Sequence, residues 1–223
     1  MVKAFVPAYD NPTECNARLA RHVFRHGIDI LIGTDATRAS LHALIASSST
    51  KALLLMSHGD QNCICAQGGN EDAISLEDVR NNKNDLIRLA IFAWACKTSL
   101  GLGSVFHKNA KGTSGTWWGY RTTISAPSSR ELGAFQQILN CIVDNFPNTR
   151  TVDDAKAFLG TLRELCESHR QRVVVSMSKS RNYDDAHETA VAFRELWQHL
   201  DGWLPCSPQP IEASFVGIVV EDM

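Results

Sequence analysis

Two side chains with the chemistry for covalent catalysis each stand at the end of a short hydrophobic run. The first run is Lys51-Ala-Leu-Leu-Leu-Met-Ser-His58-Gly59 and the second is Leu89-Ala-Ile-Phe-Ala-Trp-Ala-Cys96-Lys97. A thiol beside an imidazole is a nucleophile with its base: the sulfur attacks a carbonyl carbon and the ring moves the proton. Gly59 follows the histidine directly. A glycine there lets the backbone approach a ligand closely, so its N–H is a candidate for stabilising an oxyanion.

Positioning such a pair falls to the runs themselves. Continuous apolar character predicts strands of a parallel sheet covered by helices on both faces. In open α/β sheets the crevice that receives ligands lies beyond the carboxyl ends of the strands. If the two strands are neighbours, His58 and Cys96 face each other there. A Lys-Thr-Ser turn follows Cys96, and a helix begins near Leu100 to Ser104.

The rest of the chain fits such a sheet. Ala4–Tyr9 reads as a strand, Cys15–His26 as a helix closed by Gly27, Ile28–Ile32 as a strand closed by Gly33, and Thr37–Ser47 as a helix. Asp60–Ala73, with Gly68 and Gly69, reads as a loop or small hairpin over the site. Ser75-Leu-Glu-Asp78 matches a capping box that opens a short helix. Gly101–Lys108 starts the next helix, and Trp117–Ile124 alternates aromatic and β-branched residues as a strand does. Ser128–Phe146 and Thr151–Arg172 read as helices, Val173–Val175 as a short strand or a helix end, Asp184–Trp203 as a helix, and Ser214–Val220 as a strand. Strand–helix alternation up to Ile124 is the signature of a parallel sheet. We read one domain over 1–223, with the sheet and its helices in 1–145 and a helical extension packed on it in 146–223.

Composition narrows the function classes. A chain of 223 residues with 44% hydrophobic and 21% charged residues is long enough to bury a full core. A net charge of −2 leaves no electrostatic footprint for nucleic acid or an anionic membrane. No apolar run approaches the roughly 18 residues that a membrane span needs, and no signal peptide is expected at the N-terminus. Seven cysteines, an odd number, with Cys141 and Cys166 at apolar helical positions, predict free thiols in a reducing cytoplasm.

Beyond these patterns, two segments resemble a known family. Ser57-His58-Gly59-Asp60, then Asn62-Cys63-Ile64-Cys65, Gly68-Gly69 and Ile74-Ser75-Leu76-Glu77, is similar to the histidine segment of caspase-like cysteine peptidases. Phe92-Ala93-Trp94-Ala95-Cys96-Lys97 resembles their nucleophile segment, in the same order and at a similar spacing of about 40 residues. Within that group the style is nearest to the bacterial CHAT proteases, and the likeness covers about residues 1–145. It implies a three-layer caspase-haemoglobinase-like α/β fold with a mostly parallel central sheet and a helix-rich C-terminal part. It implies attack by Cys96, proton transfer by His58, and an oxyanion hole from the N–H groups of Gly59 and Cys96. No third residue, metal or cofactor is implied. The implied substrate is a protein or peptide, and the implied setting is a cytoplasmic bacterial defence or signalling system with an activating partner. Asp60–Ala73 or Ser176–Asn182 are the segments expected to be ordered or cut on activation.

Departures from the family bear on specificity. Trp94 stands where caspases carry Gln and metacaspases Asp, so no acidic or basic preference transfers. Lys97 and Thr98 replace an Arg and a Gly. The candidates for lining the substrate pocket are Trp94, Asp10 and Trp117. Asp10 reads equally as a helix N-cap, and Trp117 as core. Three other readings compete: a catalytically inactive scaffold of the same fold, a zinc site built from His58, Cys63 and Cys65, and a nucleotide site at Gly101-Leu-Gly103-Ser, which lacks the third glycine of the usual fingerprint.

Overall fold

The computed structural model describes residues 2–24, 30–177 and 183–213. Gly27, the expected strand at 214–220 and positions 178–182 of the Ser176–Asn182 segment lie outside the described residues.

Strands β1 (Val2–Val6), β2 (Ile30–Ile32), β3 (Ala52–Met56), β6 (Ala90–Trp94) and β7 (Thr116–Tyr120) are parallel, and β8 (Leu200–Trp203) and β9 (Ile211–Glu212) add two antiparallel strands. The seven-stranded order is β2-β1-β3-β6-β7-β8-β9. A separate hairpin, β4 (Cys63–Cys65) with β5 (Asp72–Ser75), fills the segment after His58.

Successive strand residues point to opposite faces, and here both faces are covered. Ala52, Leu54, Met56, Phe92, Trp94 and Trp118 join a core with helices α1 (Asn11–Val23), α5 (Leu132–Asn145), α6 (Val152–Met177) and α7 (Tyr183–Gln198). Leu53, Leu55, Ile91, Ala93 and Trp117 join a second core with α2 (Arg38–Ala46), α3 (Leu76–Arg80) and α4 (Ser104–Asn109). This is a three-layer α/β arrangement, and it accounts for the unbroken apolar runs.

Local signals set several boundaries. Thr37 caps α2, and Ser75 and Asp78 form a reciprocal capping box at α3. Thr151 and Asp154 cap each other at the start of α6. Val173–Val175 continues α6 as helix rather than forming a strand.

The C-terminal part differs from the expected helical extension. Leu200–Trp203, expected as the end of a helix, pairs antiparallel with β7, so residues beyond 146 complete the main sheet. The reason is tertiary. A Cβ on Gly202 would stand 2.5 Å from the Trp118 ring, so the glycine lets β8 close on that indole. Asp201, 1% exposed, accepts from the Ser99 hydroxyl at 2.6 Å, and Trp203 Nε1 donates to the same hydroxyl at 3.0 Å. Arg121 Nε lies 3.3 Å from the Asp201 carboxylate.

Burial pushes the Asp201 carboxyl up to about 6, against the opposing pull of the Ser99 hydroxyl and Arg121. Its folded pKa therefore lies above the ordinary carboxylate value. The stabilisation is present in acid and is lost as pH rises through about 6. Asp201→Asn removes this titration. Urea unfolding of both proteins should show the wild type losing up to about 3 kcal/mol relative to the variant between pH 4 and pH 7. A difference that stays constant over that window contradicts the assignment.

Candidate active site

Strands β3 and β6 are direct neighbours, with Leu55 opposite Ala93 and Met56 opposite Trp94. One more bond continues the pairing, from the Ser57 N–H to Trp94 O at 3.3 Å, and the chain then turns away from the sheet at His58 and at Cys96. Both side chains line one small open cleft, together with Trp94 and Asn16. The cleft sits at the carboxyl edge of the sheet, where the parallel strands direct it.

Asp10 holds the histidine. It is the N-cap of α1, accepting from the Thr13 amide at 3.0 Å and from the Thr13 hydroxyl at 2.6 Å. Its other carboxylate oxygen accepts from His58 Nε2 at 2.6 Å. Partial burial alone would raise the Asp10 pKa, but the Thr13 hydroxyl, the Thr13 amide and His58 outweigh it and hold the carboxyl below its usual value. An ionised carboxylate against Nε2 keeps the proton on that nitrogen and leaves Nδ1 as the ring's basic atom. The Tyr9 ring packs beside the imidazole at 5.9 Å between centroids. Asp10 thus fills its capping role and is a third group, behind His58, where none was expected. It is not among the residues that line the cleft.

Cys96 ends the buried run in a constrained turn. Lys97 has φ +58, a left-handed conformation that a residue with a Cβ adopts at a cost of about 1–2 kcal/mol. Its N–H donates to Thr122 O at 3.0 Å. A turn of π-helix, Ser99–Gly103, follows and leads into α4. Gly59 packs against this turn: a Cβ there would lie 3.1 Å from Ala95 Cβ and 3.2 Å from Thr98 Cγ2. The absence of a side chain therefore brings the loop after His58 onto the turn that carries Cys96. The backbone N–H groups of Gly59 and Cys96 have no hydrogen-bond partner among the described residues.

A strap over the sulfur comes from residues 121–127. The Ile124 N–H donates to Cys96 Sγ at 3.4 Å, and the thiol donates toward Ile124 O at 3.8 Å. The strap is tied to α7 where the Ser125 N–H donates to Glu195 Oε2 at 2.8 Å.

The remaining candidates divide. Trp94 lines the cleft, buried on the α1 side of β6. Trp117 does not reach it. The alternation of β7 turns Trp117 into the opposite core, fully buried against Phe106, while Trp118 packs edge-on to Phe158. Gly101 and Gly103 are filled by protein. A Cβ on Gly101 would meet the Gln61 carbonyl at 1.8 Å, and one on Gly103 would meet the rings of Trp203 and Trp117. These glycines serve packing rather than a phosphate. Among the described residues no group of three or more His, Cys, Asp or Glu is arranged to hold a metal. All seven cysteines are free thiols, and burial raises the pKa of Cys63 and of Cys65. No helix among the described residues is long and apolar enough to cross a membrane.

No protein-family model matches this chain, and no curated protein matches it.

Two outcomes test this geometry. Asp10→Ala loses the α1 cap and should destabilise the fold by about 1 kcal/mol, whereas Asp10→Asn, an equally good cap, should cost little. Chemical unfolding of the two variants checks the split. Separately, Glu195→Ala releases the Ser125 N–H and loosens the strap. Alkylation of Cys96 by iodoacetamide, followed by peptide mapping, should become several-fold faster, and an unchanged rate would show that Glu195 does not restrain the strap.

Proposed function

We propose that this protein is a cysteine endopeptidase with a caspase-like fold, working through Cys96 and His58. The observation that carries the reading is the β3–β6 register, which brings a thiol and an oriented imidazole to one cleft at the carboxyl edge of the sheet. The resemblance of the two segments to caspase-like peptidases supports it.

In this reading the Cys96 proton passes to His58 Nδ1 and Sγ attacks the scissile carbonyl carbon. The oxyanion is met by the N–H groups of Gly59 and Cys96. Collapse breaks the C–N bond as His58 protonates the leaving amine, giving a thioester on Cys96. Water then attacks the thioester with His58 as base, the C–S bond breaks, and the acid product leaves. Asp10 keeps the ring oriented throughout. It acts through His58 and is a positioning residue. Substrates are proteins or peptides. The enzyme works in the cytoplasm of a bacterium, in a defence or signalling system, and a partner protein or its ligand activates it by moving the strap from Cys96.

A catalytically inactive binding module is the second reading. The observation in its favour is that the Ile124 backbone engages the sulfur.

A cleavage profile on a peptide library, with wild type beside Cys96→Ala and His58→Ala, tests the proposal. We expect defined cleavage by the wild type, none by Cys96→Ala, and a loss of about a hundredfold or more in His58→Ala. Cleavage that survives Cys96→Ala would overturn the proposal. So would a Cys96 no more reactive to electrophiles than the other thiols and indifferent to His58→Ala; that result would favour the binding module.

A further inference from the structure

The cleft contains a polar group that the proposed chemistry does not use. Asn16 lies on the inner face of α1 and lines the cleft with His58, Trp94 and Cys96. It is 6% exposed, and its side-chain Oδ1 has no hydrogen-bond partner among the described residues. A buried acceptor left unpaired costs free energy, and such a group in a native cleft calls for an explanation. Neighbouring hydroxyls offer it nothing: Thr13 Oγ1 donates to Asp10, and Ser57 Oγ donates to the Cys65 carbonyl.

The charges around it are equally telling. His58 and Cys96 are the titratable groups among the lining residues, which include no carboxylate and no lysine or arginine. Of the acids at this end of α1, Glu14 is exposed and does not line the cleft, and Asp10 is committed to Thr13 and His58. A basic substrate side chain would therefore be desolvated beside Trp94 without a counter-charge, and an acidic one would find no lysine or arginine. An aliphatic one would leave Oδ1 unpaired. A primary amide presents both a donor and an acceptor, and a half-turn of the Asn16 amide offers it the complementary pair.

We propose that Asn16 determines specificity in this cleft, selecting an uncharged hydrogen-bonding side chain, a primary amide, at the residue on the acyl side of the scissile bond. The proposal rests on the peptidase reading and names its substrate class.

The test uses the full chain and peptidyl acyloxymethyl ketones that differ only in that side chain: Asn, Gln, Leu, Asp and Arg. In each, the Cys96 thiolate displaces the carboxylate leaving group and forms a thioether, so labelling rates measured by mass spectrometry rank the side chains. We expect Asn or Gln to label Cys96 about tenfold or more faster than Leu, Asp or Arg. Asn16→Leu should erase the ranking, and Asn16→Asp should shift it toward Arg, a change that a merely structural role would not produce. If either variant fails to fold, the wild-type ranking with the other variant decides. Fastest labelling by a charged or aliphatic side chain, equal labelling by all, or a ranking unchanged in the variants overturns this inference and leaves the peptidase reading standing. If no ketone labels Cys96 and iodoacetamide does not prefer it either, the peptidase reading falls and takes this inference with it.

Discussion

The structure depends on the pairing register of two fully buried parallel strands. A slip of β6 by one residue against β3 would turn its side chains over to the opposite faces, sending Phe92 and Trp94 into the core under α2 and Ile91 and Ala93 into the core under α1. Packing therefore penalises any other register. Arg88 reinforces it at the opposite end, where its guanidinium donates to the carbonyls of Ile45, Ser47 and Thr50 at 2.7 Å. The Ala90 N–H then reaches Lys51 O at 3.0 Å. With the strands locked at their starts and equal in length, their ends are level. His58 and Cys96 inherit that alignment from hydrophobic burial, with no direct contact between them needed to create it.

Helix α1 links fold to site. One carboxylate both caps the helix and orients His58, so the placement of the helix and the orientation of the imidazole are coupled. The same helix supplies Asn16 and Thr13 to the cleft wall. On the other side, the strap at 121–127 couples Cys96 to α7 through Glu195. Helices from the two ends of the chain thus converge on one small opening, and movement of α7 has a mechanical route to the sulfur.

The parts legible in the sequence are those governed by near neighbours. The buried runs, the Ser75 cap and the hairpin after Gly59 follow from patterns a few residues long. Strand β8 does not. Leu200-Asp-Gly-Trp203 holds two residues that strands disfavour, and both are explained by partners far away in the chain: Ser99 for Asp201 and Trp118 for Gly202. The Asp10–His58 pair spans 48 positions, and no local signal announces it. Trp117 and Trp118 read alike in sequence. The strand's alternation separates them, and neither lines the cleft. Asn16 reads as an ordinary helical residue, because its missing partner is a property of the packed cleft.

If the sheet holds position 58 beside Cys96, a short thiol–thiol cross-link joins the two positions. His58→Cys, in a background where Cys63 and Cys65 are serine, would be treated with dibromobimane, which bridges only closely spaced thiols and fluoresces when both ends react. We expect a bridge joining the peptide that contains position 58 to the one that contains Cys96. A folded variant that forms no such bridge, or bridges position 58 only to another cysteine, would contradict it.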